Sequence, residues 1–153
     1  MDPGNPLQPF IDQMGIAFDE LGAPRMMGRI FGYLLVCDPP WQSAPQLCEA
    51  LDASKGSVNT ITRQLIQAGL LERVAVKGER ATYLQVRSGA WSEMIRFRMR
   101  GMHHLRMVAE GGLELLANAP AEQRERLQRF HDFYEYIERE FEAFISRFEE
   151  EEG

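Results

Sequence analysis

Residues 43 to 86 carry a series of stops and starts that few folds can accommodate. Ser43 can cap a short helix with Pro45 in its first turn, ending near Leu51. Ser54 can cap a second helix, which runs to about Ala68 and has Gly69 as its C-terminal stop. The segment RVAVKGERATYLQV then gives two strand-like runs, rich in β-branched and aromatic residues, around Lys77-Gly78-Glu79-Arg80, the pattern of a hairpin. The short helix shows Leu47, Cys48 and Leu51 on one face, which turns the Cys48 thiol toward the core and predicts an inert side chain. The second helix shows Val58, Ile61 and Leu65 at i, i+3 and i+7. Across the turn Asp52-Ala53 these two stripes pack on each other at a steep angle. Helix, tight turn, helix and hairpin is the order of a winged helix-turn-helix.

Helices flank this unit on both sides. Residues 1 to 9 hold three prolines and read as a loose arm, and Ile11, Met14, Phe18 and Leu21 follow at helical spacing. Pro24 suits a first helical turn, and the segment to Val36 is apolar nearly all round, which predicts burial until Asp38-Pro39-Pro40 stops it. After the hairpin, one long helix is predicted from about Ser88 to Ala117 and a second from Pro120 almost to the C-terminus. In the last helix Leu127, Phe130, Tyr134, Ile137, Phe141, Phe144 and Phe148 recur in alternating steps of three and four. A sustained 3.5-residue period is a narrow seam for another helix, either in a second subunit or in the chain's own N-terminal region. The class expected is therefore mainly α with a small β-wing: a winged helix-turn-helix flanked by N- and C-terminal helices.

The charge is segregated. Residues 41 to 106 hold ten Lys or Arg against five Asp or Glu, residues 1 to 40 two against five, and residues 107 to 153 five against thirteen. A basic middle between acidic ends, in a chain of net charge −6, is expected if only the middle meets a polyanion. The helix from Ser54 agrees with this. Opposite Val58, Ile61 and Leu65 it carries Gly56, Asn59, Thr60, Arg63 and Gln67, with Lys55 and Ser57 beside its N-terminal end and no carboxylate. An amide and a guanidinium each make paired hydrogen bonds to base edges, and Thr adds a hydroxyl or methyl contact. Gly56 removes a side chain where backbone comes close, while Lys55 and Ser57 suit phosphates at a helix start. Lys77 and Arg80 at the hairpin tip can reach backbone or the adjacent minor groove. Double-stranded DNA is the expected partner; a winged-helix adaptor that binds protein is the alternative.

Other classes are disfavoured. No apolar run is long enough to span a membrane, and MDPGNPLQPF lacks the form of a signal peptide, so a cytoplasmic protein without a membrane partner is expected. Cys37 and Cys48 make no disulfide framework, and Cys37 in an apolar helix has only Arg25 or Arg29 near enough to activate it. His103 and His104 point about 100° apart on a helix and, with His131, complete no metal-ligand spacing, so no metal and no cofactor are expected. No nucleophile–base pair or phosphate-binding glycine loop stands out, so the chain does not read as an enzyme. In WSEMIRFRMRGMHHLRM, Met94, Met99, Met102 and Met107 with Phe97 can line an adaptable apolar cavity, Arg98 or Arg100 meeting a polar head; ordinary helix packing explains the same pattern.

The stretch LCEALDASKGSVNTITRQLIQAGLLERVAVKGERATY resembles the MarR family's L-A-E-x-L-x-x-S-x-x-x-V-x-x-x-x-R-x-L-x-x-x-G-L-hydrophobic-x-R pattern and the wing after it. GRIFGYLLVCDPPWQSAPQL narrows the resemblance to the GbsR-type branch, and there to mycobacterial repressors of MmpS–MmpL lipid- and drug-exporting transporters. The resemblance implies a homodimer on a pseudo-palindromic operator, joined through N- and C-terminal helices (Phe10 and Met14 with the seam residues). It further implies release by a small-molecule effector, lipid-like or drug-like, for which Met94, Phe97, Arg98 and Arg100 are candidate contacts. An osmolyte-responsive regulator is the alternative within the branch. The expected division is residues 1–22 as arm and dimerisation helix, 23–88 as the winged DNA-binding domain and 89–153 as C-terminal dimerisation helices. One departure concerns the wing: family wings carry acid-x-Arg, whereas Glu79-Arg80-Ala81 sets the Arg next to the acid.

Overall fold

The computed structural model describes residues 6–152, and these divide into two compact units, the first ending at Ala90 and the second beginning at Trp91. In the first unit α1 (Gln8–Glu20) crosses α2 (Arg25–Val36). The arm expected over residues 1–9 gives way to helix at Gln8, with Pro9 in the first turn, where a missing N–H costs nothing; residues 1–5 lie outside the described residues. Pro24 caps α2 from outside and does not enter its first turn. Glycine makes the α1–α2 crossing close. A Cβ at Gly28 would sit 2.2 Å from the Met14 carbonyl oxygen, and one at Gly32 2.9 Å from the Met14 side chain. Asp12 and Asp19 accept from Arg29 and Arg25 at 3.2 and 3.1 Å along the rim, partly exposed pairs of small energetic weight. Ile30, Phe31 and Leu34 of α2 form the centre of the unit, with Phe18 of α1 against Phe31 at 5.8 Å between ring centroids.

Next come β1 (Gln42–Ser43), α3 (Ala44–Leu51) and α4 (Lys55–Gln67). Ser43 and Gln46 form a reciprocal capping box: the Gln46 N–H donates to Ser43 Oγ at 3.4 Å, and the Ser43 N–H donates to Gln46 Oε1 at 2.7 Å. Asp52 makes the turn in the left-handed region (φ 49°, ψ 50°), which Asp tolerates better than most residues. Leu47, Leu51, Val58 and Leu65 are fully buried, so the two stripes do meet. Each of these side chains contributes roughly 1.5–3 kcal/mol of hydrophobic stabilisation. Cys48 departs from the expectation: it is half-buried at the edge of the helix pair and lines a surface cleft with Pro45, Glu49 and Lys55. Its position one residue past Leu47 turns it about 100° off the centre of the stripe.

The hairpin is β2 (Leu71–Ala75) and β3 (Thr82–Val86), antiparallel, with Leu71 opposite Val86 and Val74 opposite Tyr83. A third strand was not legible beforehand: β1 pairs with β3 through Gln42–Leu84 and Ser43–Tyr83, giving the order β1-β3-β2. The capping residue of α3 thus also belongs to the sheet that carries the wing.

The second unit is two antiparallel helices, α5 (Ala90–Leu115) and α6 (Ala121–Glu152). Ion pairs and small residues join them. Arg96 reaches Glu149 at 2.8 Å and Glu142 at 3.5 Å, Arg106 donates to Glu138 at 3.0 Å, and a Cβ at Gly112 would lie 2.8 Å from Leu127. Ala109 and Ile145 are buried between the helices. The heptad seam is only partly covered by α5: Leu127 meets Gly112 and Phe141 lines the groove between the two helices. Phe130, Phe141 and Phe144 remain 41%, 36% and 53% exposed, while Leu127, Tyr134, Ile137 and Phe148 are half-buried. No helix among the described residues is long and apolar enough to cross a membrane.

Candidate nucleic-acid interface

The core stripe of α4 fixes what its other side presents. With Val58, Ile61 and Leu65 inward, and Thr62 donating its hydroxyl to the Val58 carbonyl at 2.8 Å, Asn59, Thr60, Arg63 and Gln67 stand exposed. Gln64, absent from the expected set, is exposed on the flank beside Thr60; its 100° steps from Arg63 and Leu65 were the available signal. Among the described residues, the side chains of Lys55, Asn59, Thr60, Arg63, Gln67, Lys77 and Arg80 make no hydrogen bond or ion pair. By contrast Arg25, Arg29, Arg96 and Arg106 all hold carboxylates. The reading helix carries the hydrogen-bonding groups that the fold leaves uncommitted.

At its start, the Ser54 hydroxyl accepts the Ser57 N–H at 3.2 Å, which leaves the amides of Lys55 and Gly56 at the positive end of the helix dipole, a natural anion site. Ser57 is half-buried, Lys55 and Gly56 exposed. A Cβ at Gly56 would meet nothing within 4 Å, so this glycine answers no packing demand among the described residues.

The wing turns through Gly78 at φ 88°, with the Glu79 N–H donating to the Val76 carbonyl at 3.0 Å, and it presents Lys77 and Arg80 to solvent. Desolvation pushes the Tyr83 hydroxyl up in pKa, and the Glu79 carboxylate, which accepts its hydrogen bond, adds to the shift. The wing acid thus lies by Tyr83, and the neighbouring Arg80 pairs with no carboxylate among the described residues. Arg73 on β2 is a further exposed cation that the sequence reading passed over; it lies next to Glu72, which accepts from Gln85 across the strand at 2.7 Å.

The four candidate ligand contacts do not gather in one place. Arg100 lines a groove of about 330 Å³ between α5 and α6, with its guanidinium 4.7 Å above the Phe97 ring, whereas Met94, Phe97 and Arg98 do not line it. Of the expected dimer contacts on α1, Phe10 is exposed and Met14 packs over Gly32 of its own α2. His103 lies by Glu138 at 3.4 Å, far along the helix pair from His131. His131 instead joins Asp132 and Glu135, whose ligand atoms lie within 4.8 Å of one another on the surface of α6, a local grouping not foreseen from spacing. The Gln128 amide, donating at 2.7 Å, and His131 hold the Asp132 carboxyl below its ordinary pKa. Burial pushes the Cys37 thiol up, Gln42 opposing it only in part, so this cysteine is poorly suited to act as a nucleophile.

Similarity to known proteins agrees with this geometry. Residues 89–151 match the model of the MmpR5-like MarR family of transcriptional regulators. The HTH-type transcriptional regulator MmpR5 of Mycobacterium tuberculosis is 40% identical over 144 residues, covering 94% of this chain and 87% of that protein. A crystal structure described as a transcriptional regulator superposes with a TM-score of 0.79 at 39% identity, over 94% of this chain and 98% of that one. These relatives are regulators and not enzymes. With identity of this degree running through both units, the chain belongs to the MmpR5-like MarR family of transcriptional regulators.

Proposed function

We propose that the chain is a homodimeric, DNA-binding repressor, released from a pseudo-palindromic operator when a small hydrophobic or amphiphilic molecule binds. One observation carries the DNA-binding reading: the outward face of α4 has no carboxylate, and its amide, hydroxyl and guanidinium groups have no partner within the described residues. Asn59, Thr60, Arg63 and Gln67 read base edges, while Lys55, the helix-start amides, Lys77 and Arg80 hold phosphates. Residues 23–88 form the reading domain. Residues 1–22 and 89–153 provide the twofold contact, a reading supported by the exposed Phe130, Phe141 and Phe144. Two copies place their α4 helices in successive major grooves, about 34–36 Å apart. An exporter gene is the target that the MmpS–MmpL resemblance suggests, and the protein acts in the cytoplasm.

The test is a gel-shift series on the DNA upstream of its own gene, with scrambled duplex as competitor, across a range of salt concentrations. Specific binding is expected. Counting Lys55, Lys77 and Arg80 from two copies as phosphate contacts, the logarithm of affinity falls against the logarithm of salt with a slope of about −5. Equal affinity for scrambled DNA, or a flat salt response, refutes the proposal.

A further inference from the structure

On α6, little more than one turn of helix gathers an imidazole and two carboxylates. His131, Asp132 and Glu135 each bring one ligand atom within 4.8 Å of the others. His131 and Glu135 stand at i and i+4, the spacing that puts two side chains on one helix face. Asp132, as the next residue, leaves the helix about 100° round from His131. Even so, one of its oxygens lies 3.2 Å from His131 Nδ1. The Gln128 amide, one turn earlier, donates to that same oxygen at 2.7 Å and holds the carboxylate in this position. Two ligands on one zinc ion, each at about 2.0–2.2 Å and near the tetrahedral angle, stand about 3.4 Å apart, so the nitrogen–oxygen spacing is already close to that of a chelate. The charges around the group favour a cation. Elsewhere on α6, Glu125, Glu138, Glu140, Glu142 and Glu149 each pair with an arginine. Asp132 and Glu135 form no ion pair with Lys or Arg among the described residues, and like charges one helical turn apart repel. The His131 side chain is only 13% exposed, so its ring is held by its surroundings and gives up little freedom on binding an ion.

We infer that His131, Asp132 and Glu135 bind one divalent transition-metal ion of the zinc class, through an imidazole nitrogen and one oxygen from each carboxylate, with the outward position left to water. An imidazole beside carboxylates suits zinc, nickel or copper better than magnesium or calcium, which take oxygen ligands in larger number. Bound there, the ion ties His131 to Glu135 and stiffens the turn that also carries Phe130 and Tyr134, whose rings lie 4.8 Å apart in the heptad seam. The site goes beyond the proposed DNA-binding function and stands or falls apart from it.

Tag-free, full-length protein is titrated with Zn²⁺ in competition with a chromogenic chelator, and with Co²⁺ as an optical reporter of the ligands. One ion per chain is expected, with the weak visible bands of Co²⁺ and no thiolate charge-transfer band from Cys37 or Cys48. Gln128→Ala removes only the group that orients Asp132 and is expected to weaken Zn²⁺ binding about tenfold, while His131→Ala removes a ligand and weakens it about a hundredfold or more. Asp132→Asn and Glu135→Gln alter exposed side chains and lower the affinity with the fold intact, so they decide the matter even where circular dichroism shows His131→Ala to be unfolded. A variant with both His103→Ala and His104→Ala binds Zn²⁺ as the parent does, and excess Mg²⁺ does not displace it. Four results each overturn the inference: no saturable Zn²⁺ binding, bound Co²⁺ showing the thiolate band, parental affinity in Asp132→Asn and Glu135→Gln, or binding lost with His103 and His104.

Discussion

Two glycines in helices of the first unit allow fold and function to be separated by one kind of substitution. Gly28→Ala puts a methyl 2.2 Å from the Met14 carbonyl oxygen, 2.8 Å from its carbon and 2.9 Å from the Gly15 Cα. All three are backbone atoms, so the α1–α2 crossing must open by an ångström or more. Overpacking of this kind costs about 1–3 kcal/mol or more, set against about 1 kcal/mol of helix propensity gained. Gly56→Ala meets nothing within 4 Å and sits at a helical φ, so only the favourable part remains, about 0.4–1 kcal/mol. A gain of that size raises the melting temperature by about 2–4 °C per kcal/mol in a chain of this length. If Gly56 is kept small for a phosphate backbone, the same methyl intrudes on the complex and lowers operator affinity about tenfold, the equivalent of about 1.4 kcal/mol. Urea denaturation and gel shifts on the two variants give the four numbers. The expected pattern is Gly56→Ala more stable and binding more weakly, with Gly28→Ala plainly destabilised. A Gly56→Ala protein that is stabilised and binds DNA as well as the parent refutes the argument that this space is reserved for a partner.

Three further outcomes follow from the same coordinates. Arg63→Ala is expected to lose about 1–3 kcal/mol of operator binding and to relax preference at one base position per half-site, read by competition with single-base variants; uniform weakening across all variants contradicts base reading. Phe144→Glu changes a ring already 53% exposed, so the fold should hold while the dimer falls to monomer in sedimentation velocity; an unchanged dimer removes the seam from the interface. Cys37, with its thiol pushed up by burial, has less thiolate at neutral pH than a free cysteine, and its alkylation accelerates only as pH climbs through the raised pKa. Peptide mapping after iodoacetamide at pH 7.5 should find it slower than free cysteine, and a faster rate refutes the environment described.

What was legible beforehand is what local chemistry encodes. The cap residues Ser43 and Ser54, the left-handed Asp52 and the stop at Gly69 all act within a few residues, so the helix pair and its outward face followed from spacing alone. Strand β1 did not, because two residues carry no periodicity and Ser43 already reads as a cap; only the distant Tyr83 and Leu84 make it a strand. Cys48 was placed too far inward because a three-residue stripe cannot separate its centre from its edge. The groove residues of α6 were missed for a related reason. The seam through Phe130, Phe141 and Phe144 dominates the pattern, while the face toward α5 is built from Glu138, Glu142, Ile145 and Glu149, acids that look solvated until their arginine partners are known.

Those partners also change what the segregated charge means. Counted along the chain, the arginines of α5 add to the basic middle, and all of them are candidates for meeting DNA. In the folded second unit, the acidic α6 takes up two of them: Glu138 raises the pKa of Arg106, and Glu149 with Glu142 raises that of Arg96. Part of the acidic surplus of the C-terminal third is therefore matched internally, helix against helix. In the first unit the opposite holds. Among the described residues Lys55, Arg63, Lys77 and Arg80 pair with no carboxylate, while Glu72 and Glu79, the acids beside them in the hairpin, lie by Gln85 and Tyr83. A chain of net charge −6 can thus present a cationic surface without a cationic composition, because its acids are bound where they neutralise arginine or tyrosine and absent where a phosphate would lie. Pairing, and not the count of charges, decides which cations are left for a polyanion.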